Sequence, residues 1–118
     1  MASKRDVRPW GDYEVVDDGE GYRVKRITVR PGHRISYQRH RSRAEHWFVV
    51  AGNGVATIDD AELQVSRGSV VDIPVGTAHR VGNDGEADLT FIEVQTGHYF
   101  GEDDIERLDD DYGRDLAD

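Results

Sequence analysis

From about Tyr13 to Gln95 the chain runs as short β-rich stretches broken by turn residues. Tyr22–Val29 is β-branched and partly alternating, Pro31-Gly32 ends it, and His33 to His40 reads as the next strand. Glu45 to Ala51 runs into Gly52-Asn53-Gly54, a hairpin signal because Asn and Gly tolerate positive φ. Val55 to Ile58 turns at Asp59-Asp60 into Leu63 to Val65, and Ser69–Ile73, His79–Val81 and Leu89–Gln95 follow. Many short strands at this spacing predict an all-β antiparallel sandwich or barrel. Only the end reads as helix. Glu102, Asp103 and Asp104 put negative charge at the first turn of Ile105–Leu108, where the helix dipole favours it.

Length then bounds the architecture. The chain has 118 residues and no internal repeat or linker, so a single domain over 1–118 is expected, with an acidic helix or tail at about 101–118. The formal charge is −9, but residues 101–118 carry −7 of it and residues 1–100 only −2. The acidity therefore reads as a solvated terminal segment rather than a binding face. No basic stripe is left to hold a phosphate backbone, so nucleic acid is not an expected partner. The longest apolar run, Trp47 to Ala51, is far too short to span a bilayer, and the N-terminus has no signal-peptide character. A cytoplasmic protein with no membrane partner is the default expectation. Cys is absent, which removes disulfides, thiolate metal sites and Cys nucleophiles.

Candidate chemistry lies in two clusters. Gln38 and His40 stand two apart on a predicted strand and so face one side, and Glu45 follows after a short turn. His79 comes from a distant segment just after Pro74-Val75-Gly76. Two imidazoles, a carboxylate and an amide oxygen make a borderline-hard donor set for one divalent ion, zinc first, with manganese, iron, cobalt or nickel as alternatives. By residue type alone, these and the nearby His33 and His46 are equally compatible with scattered surface or core histidines.

Spacing changes that balance. Gly32, Gln38, His40, Glu45 and Gly52 stand at the intervals of the first cupin motif, with Gln in place of the usual first His. Gly68, Pro74, Gly76, His79 and Asn83 resemble the second motif at every fixed position. The resemblance implies a cupin double-stranded β-helix, a jelly-roll barrel, holding one metal. It narrows further, because Arg8-Pro9-Trp10-Gly11, Arg43 to Trp47, Ile73 to Gly76, Glu93 to Gln95 and Gly101 to Arg107 are similar to the type II mannose-6-phosphate isomerase cupin. That module usually forms the C-terminal domain of bifunctional mannose-1-phosphate guanylyltransferases. Family members often carry a run of His where this chain has His40-Arg41-Ser42, a departure that touches the neighbours of a ligand.

The resemblance implies a metal-dependent aldose–ketose isomerase interconverting mannose 6-phosphate and fructose 6-phosphate, with Gln38, His40, Glu45 and His79 as ligands. Arg80 is then the expected catalytic cation, by its place directly after His79, and Glu93 a candidate proton carrier. Lys25 and Arg43 are candidate phosphate or sugar contacts, since ammonium and guanidinium donors match phosphate oxygens. Small cupins commonly pair, so a homodimer is expected. Two other readings stand beside this one. The first is a non-catalytic metal- or sugar-binding module that partners a separate guanylyltransferase; the second is an iron-dependent oxygenase, because fold alone does not fix chemistry.

Overall fold

The computed structural model describes residues 4–114. Among these described residues, eleven strands form two antiparallel sheets: β1 (Lys4–Arg8), β2 (Gly11–Gly19), β3 (Tyr22–Val29), β4 (Tyr37–Arg39), β5 (Arg43–Ala51), β6 (Asn53–Ile58), β7 (Ala61–Ser66), β8 (Val70–Ile73), β9 (His79–Gly82), β10 (Leu89–Gly97) and β11 (Glu106–Asp109). One sheet runs β1-β2-β3-β10-β5-β8 and the other β11-β4-β9-β6-β7. This is the all-β cupin barrel expected from the motifs.

Period-two alternation decides what lies between the sheets. In β5 the inward positions are Arg43, Glu45, Trp47 and Val49, and in β10 they are Leu89, Phe91, Glu93 and Gln95. Each set changes character along its strand. Val49, Trp47, Leu89 and Phe91 join Val29, Ala56, Val71, Ile73 and Val81 in the apolar core. Arg43, Glu45, Glu93 and Gln95 continue in the same phase toward the other end of the barrel and are equally buried. Burying charge without compensation is costly, so these positions must satisfy one another or a ligand.

Three local expectations need correction. Among the described residues there is no helix; Glu106–Asp109, predicted helical with the residues before it, is strand β11. It pairs with β4, Arg107 opposite Gln38, because side-chain and ladder partners elsewhere in the chain outweigh a weak local helix signal. The acidic segment, over 101–114, is solvent-facing but not a free tail: it lies against the barrel as a C-terminal strap, several of its acids exposed yet ion-paired. Glu102 binds Lys25, Glu106 binds Arg39, Asp109 binds Arg80, and Asp111 binds Arg34. The residues at 115–118 lie outside the described part.

The third correction concerns Gly52-Asn53-Gly54, which is not a hairpin. It carries the chain from β5 in one sheet to β6 in the other. Gly52 sits at φ +88°, and a Cβ there would overlap the Asp88 carbonyl, so the glycine serves a close crossing beside β10. A tight hairpin does lie at Asp59-Asp60, both at positive φ, between β6 and β7.

A candidate metal centre with a second carboxyl

A cleft opens between the sheets at the polar end of the barrel. His40 follows β4, Glu45 lies on β5, and His79 starts β9. One ligand atom from each falls within 4.8 Å of the others, and all three residues are buried. His40 Nε2 stands 3.2 Å from Glu45 Oε2, and His79 Nε2 stands 3.4 Å from Glu45 Oε1.

The outer nitrogens explain why the inner ones converge. His40 Nδ1 donates to the Asp104 carbonyl at 2.6 Å, and His79 Nδ1 donates to the Thr77 carbonyl at 2.9 Å. A carbonyl only accepts, so each Nδ1 carries the proton and each Nε2 presents a lone pair to the cleft. That is how ligating histidines are normally oriented. Burial alone would raise the Glu45 carboxyl, but when the imidazoles of the metal-free cleft carry a proton on Nε2 as well, their hydrogen bonds and charge, from His40 and His79, outweigh it and hold it well below the usual carboxylate range. An ionised carboxylate and two Nε2 lone pairs fit a divalent ion.

Gln38 lines the same cleft and pairs directly opposite His79. Its Nε2 donates to Ser36 Oγ at 2.9 Å, which leaves the amide oxygen as the atom available to a ligand. Arg43 is also brought in. Its Nε donates to Glu45 Oε2 at 3.1 Å, Nη2 lies 3.3 Å from His40 Nε2, and Nη1 is buried without a partner.

Glu93 stands beside this group. Trp47 Nε1 donates to Glu93 Oε1 at 3.0 Å and approaches Glu45 Oε1 at 3.3 Å, so one indole N–H bridges the two carboxyls. Gln95 Nε2 donates to Glu93 Oε2 at 2.7 Å. Burial, then the neighbouring Glu45 charge, push Glu93 up to about 8 against the pull of Lys25 and Arg43. Two carboxyls in one cleft thus have their proton affinities driven apart.

Of the other two expected residues, Arg80 is turned away from the cleft, whereas Lys25, paired opposite Glu93, lies beside it and is occupied by Glu102. With His79 facing inward, alternation turns Arg80 to the opposite face of β9. There it donates to the Ile35 carbonyl and to Asp109 at 3.0 Å, and lies 5.9 Å from the Tyr37 ring centre. Lys25 is buried beneath Tyr13, 4.2 Å from its ring centre, with Nζ bound to Glu102 at 2.7 Å. Both cations hold the C-terminal strap onto the barrel.

Sequence reasoning missed Asp104, which it assigned to a helix start. Its carboxylate accepts the Arg41 and Ser42 amides at 2.9 Å while its carbonyl fixes His40. The strap therefore sets the orientation of a candidate ligand. Asp104→Ala should lower unfolding free energy by about 1–2 kcal/mol for the lost charged hydrogen bonds. It should also weaken metal affinity about tenfold through a loosened His40. Denaturant midpoint and metal titration together check this; two unchanged values would show that the strap plays no such part.

Comparison with known proteins follows the same lines. Residues 2–110 match the model of a family described as mannose-6-phosphate isomerase C-terminal. The chain belongs to that family. It is 51% identical over 107 residues to the alginate biosynthesis protein AlgA of Pseudomonas aeruginosa, covering 91% of this chain and 22% of AlgA. It is also 51% identical to a mannose-1-phosphate guanylyltransferase of Salmonella montevideo, again over 91% of this chain and 23% of the relative. The isomerase-family chain thus spans about a fifth to a quarter of the length of these curated relatives. Solved structures share the fold. The capsular polysaccharide assembling protein CapF of Staphylococcus aureus superposes with a TM-score of 0.77 at 24% identity, over 92% of this chain and 33% of its own. A predicted oxalate decarboxylase of Thermotoga maritima gives 0.71 at 20% identity, over 82% and 93%. No helix among the described residues is long and apolar enough to cross a membrane.

Proposed function

We propose that this cupin is a metal-dependent isomerase interconverting mannose 6-phosphate and fructose 6-phosphate. The observation that carries the reading is the pairing, in one cleft, of a His–Glu–His donor group with a second carboxyl held near neutral proton affinity. Membership of the isomerase family supplies the substrate class.

The reaction moves a proton between C1 and C2 of an open-chain sugar through an enediolate. A divalent ion held by His40, Glu45 and His79, with Gln38 alongside, would polarise the carbonyl and stabilise the developing oxyanion. Glu93 would carry the proton, because a group with affinity near working pH both accepts and returns one readily. Trp47 and Gln95 fix its two oxygens, so the proton carrier is held in a single orientation. Arg43 donates to Glu45 and would offer its unpartnered Nη1 to the substrate's oxygens.

The test is a coupled assay with the metal-loaded chain. Conversion of mannose 6-phosphate, its loss with chelator and its return with metal are expected. No turnover with any of zinc, manganese, iron, cobalt or nickel would overturn the reading. A sugar phosphate that raises the melting temperature without being converted would instead favour a binding module.

A further inference from the structure

Beyond the donor group, the cleft is lined by Arg8, Arg107 and Arg114. We infer that these three guanidiniums form an anion seat for the dianionic phosphoryl end of the substrate, across the cleft from the metal ligands. The inference rests on reading the cleft as a sugar-phosphate site.

Register places the seat. Arg107 pairs opposite Gln38, and Gln38 opposite His79, so the three residues form one row across β11, β4 and β9. Directly paired residues share a face of the sheet, and all three line the cleft. Two strand spacings separate the ends of the row, roughly 10 Å between the Arg107 and His79 backbones. An extended sugar phosphate can therefore present its carbonyl end to the metal ligands and its phosphoryl end to Arg107, with Gln38 between.

The cations at this end are gathered against their mutual repulsion. Among the described residues no carboxylate comes within ion-pair distance of Arg107, and its Nε is buried without a partner. Burial, then the charges of Arg114 and Arg8, push Arg107 below its ordinary value, while Asp110 and Glu102 offset this only in part. Arg8 is held by the Val7 carbonyl and the Tyr13 hydroxyl, both at 3.1 Å and both neutral. Arg114 is paired with Asp110 through two oxygens at 2.8 and 2.9 Å, which fixes its plane. Glu102, which also lines the cleft here, is taken up by Lys25. Farther in, Arg43 adds its own buried unpartnered Nη1. In a chain of net charge −9, this is a local positive focus with unsatisfied donors. Arginine forks match phosphate oxygens in pairs, so a dianion completes them.

Inorganic phosphate is the probe, titrated into the chelator-treated full chain at constant ionic strength so that it cannot bind through a metal. Wild type should gain melting temperature, with Arg107→Gln and Arg8→Gln each weakening phosphate about tenfold or more, as for a charge-assisted contact. Metal stoichiometry should stay unchanged in both. No phosphate effect in wild type, or full affinity in both variants, would overturn the seat. If Arg107→Gln fails to fold, Arg8→Gln on the half-exposed β1 decides. The two readings separate cleanly. Phosphate binding lost in the variants, in a chain that never isomerises, keeps the seat and sinks the isomerase. Turnover with an unchanged KM for mannose 6-phosphate in both variants does the reverse.

Discussion

Replacing Glu45 with Ala should remove the metal and turnover together, with a loss of about 10³-fold or more, since Lewis-acid charge stabilisation is worth several kcal/mol. Glu45 is the one residue that faces all the others: both imidazoles, Arg43 and the Trp47 indole converge on its two oxygens. The same convergence makes Ala a blunt tool. It leaves Arg43 buried and unpaired, a change that costs about 3–5 kcal/mol in comparable buried pairs and threatens the fold itself. Glu45→Gln is the discriminating variant. It keeps shape and one oxygen but removes the charge, so the barrel should survive by circular dichroism while metal is held far more weakly. A folded Glu45→Gln protein that retains one tight metal ion would contradict the ligand assignment.

Glu93→Gln should cut turnover by about 10²–10⁴-fold while leaving metal stoichiometry intact, the signature of losing a general acid–base group. A second consequence is a change in the pH dependence of stability. The folded Glu93 carboxyl sits at about 8, above its ordinary value, so between that ordinary value and 8 the native state holds a proton that the unfolded chain has released. Its contribution to stability is full below the ordinary carboxylate range and is lost as pH rises toward 8. Glu45 has the opposite sign. Its depressed affinity favours the native state above the ordinary carboxylate range and is lost as pH falls below it. In the metal-free chain, wild type should therefore lose stability relative to Glu93→Gln between about pH 5 and about pH 8. Parallel denaturant midpoints across that range would show that Glu93 is not held protonated.

What the sequence makes legible here follows from the range of the interactions involved. Strands β3, β5, β8, β9 and β10 declare themselves because β-branched and aromatic residues repeat at local spacing. The donor residues are legible from motif intervals, and the inward phase of β5 and β10 explains why Arg43, Glu45 and Glu93 follow buried apolar positions. Strands β1 and β2 carry charges such as Lys4, Arg5, Asp17 and Asp18 that mask alternation. The C-terminal strap was misread for a different reason. Its acids resemble a helix start, yet their partners Lys25, Arg39, Arg80 and the Arg41 and Ser42 amides lie more than sixty residues away in sequence for all but Arg80. No local pattern encodes those pairings. Arg80 shows the converse: adjacency to a ligand in sequence places it on the opposite face of the strand.

The most direct test of the central claim is a metal titration of the stripped chain that follows bound ion and mannose 6-phosphate turnover together. Both should rise in parallel and saturate at one ion per chain. Full turnover without metal, or one tightly bound ion with no turnover at any loading, would contradict it.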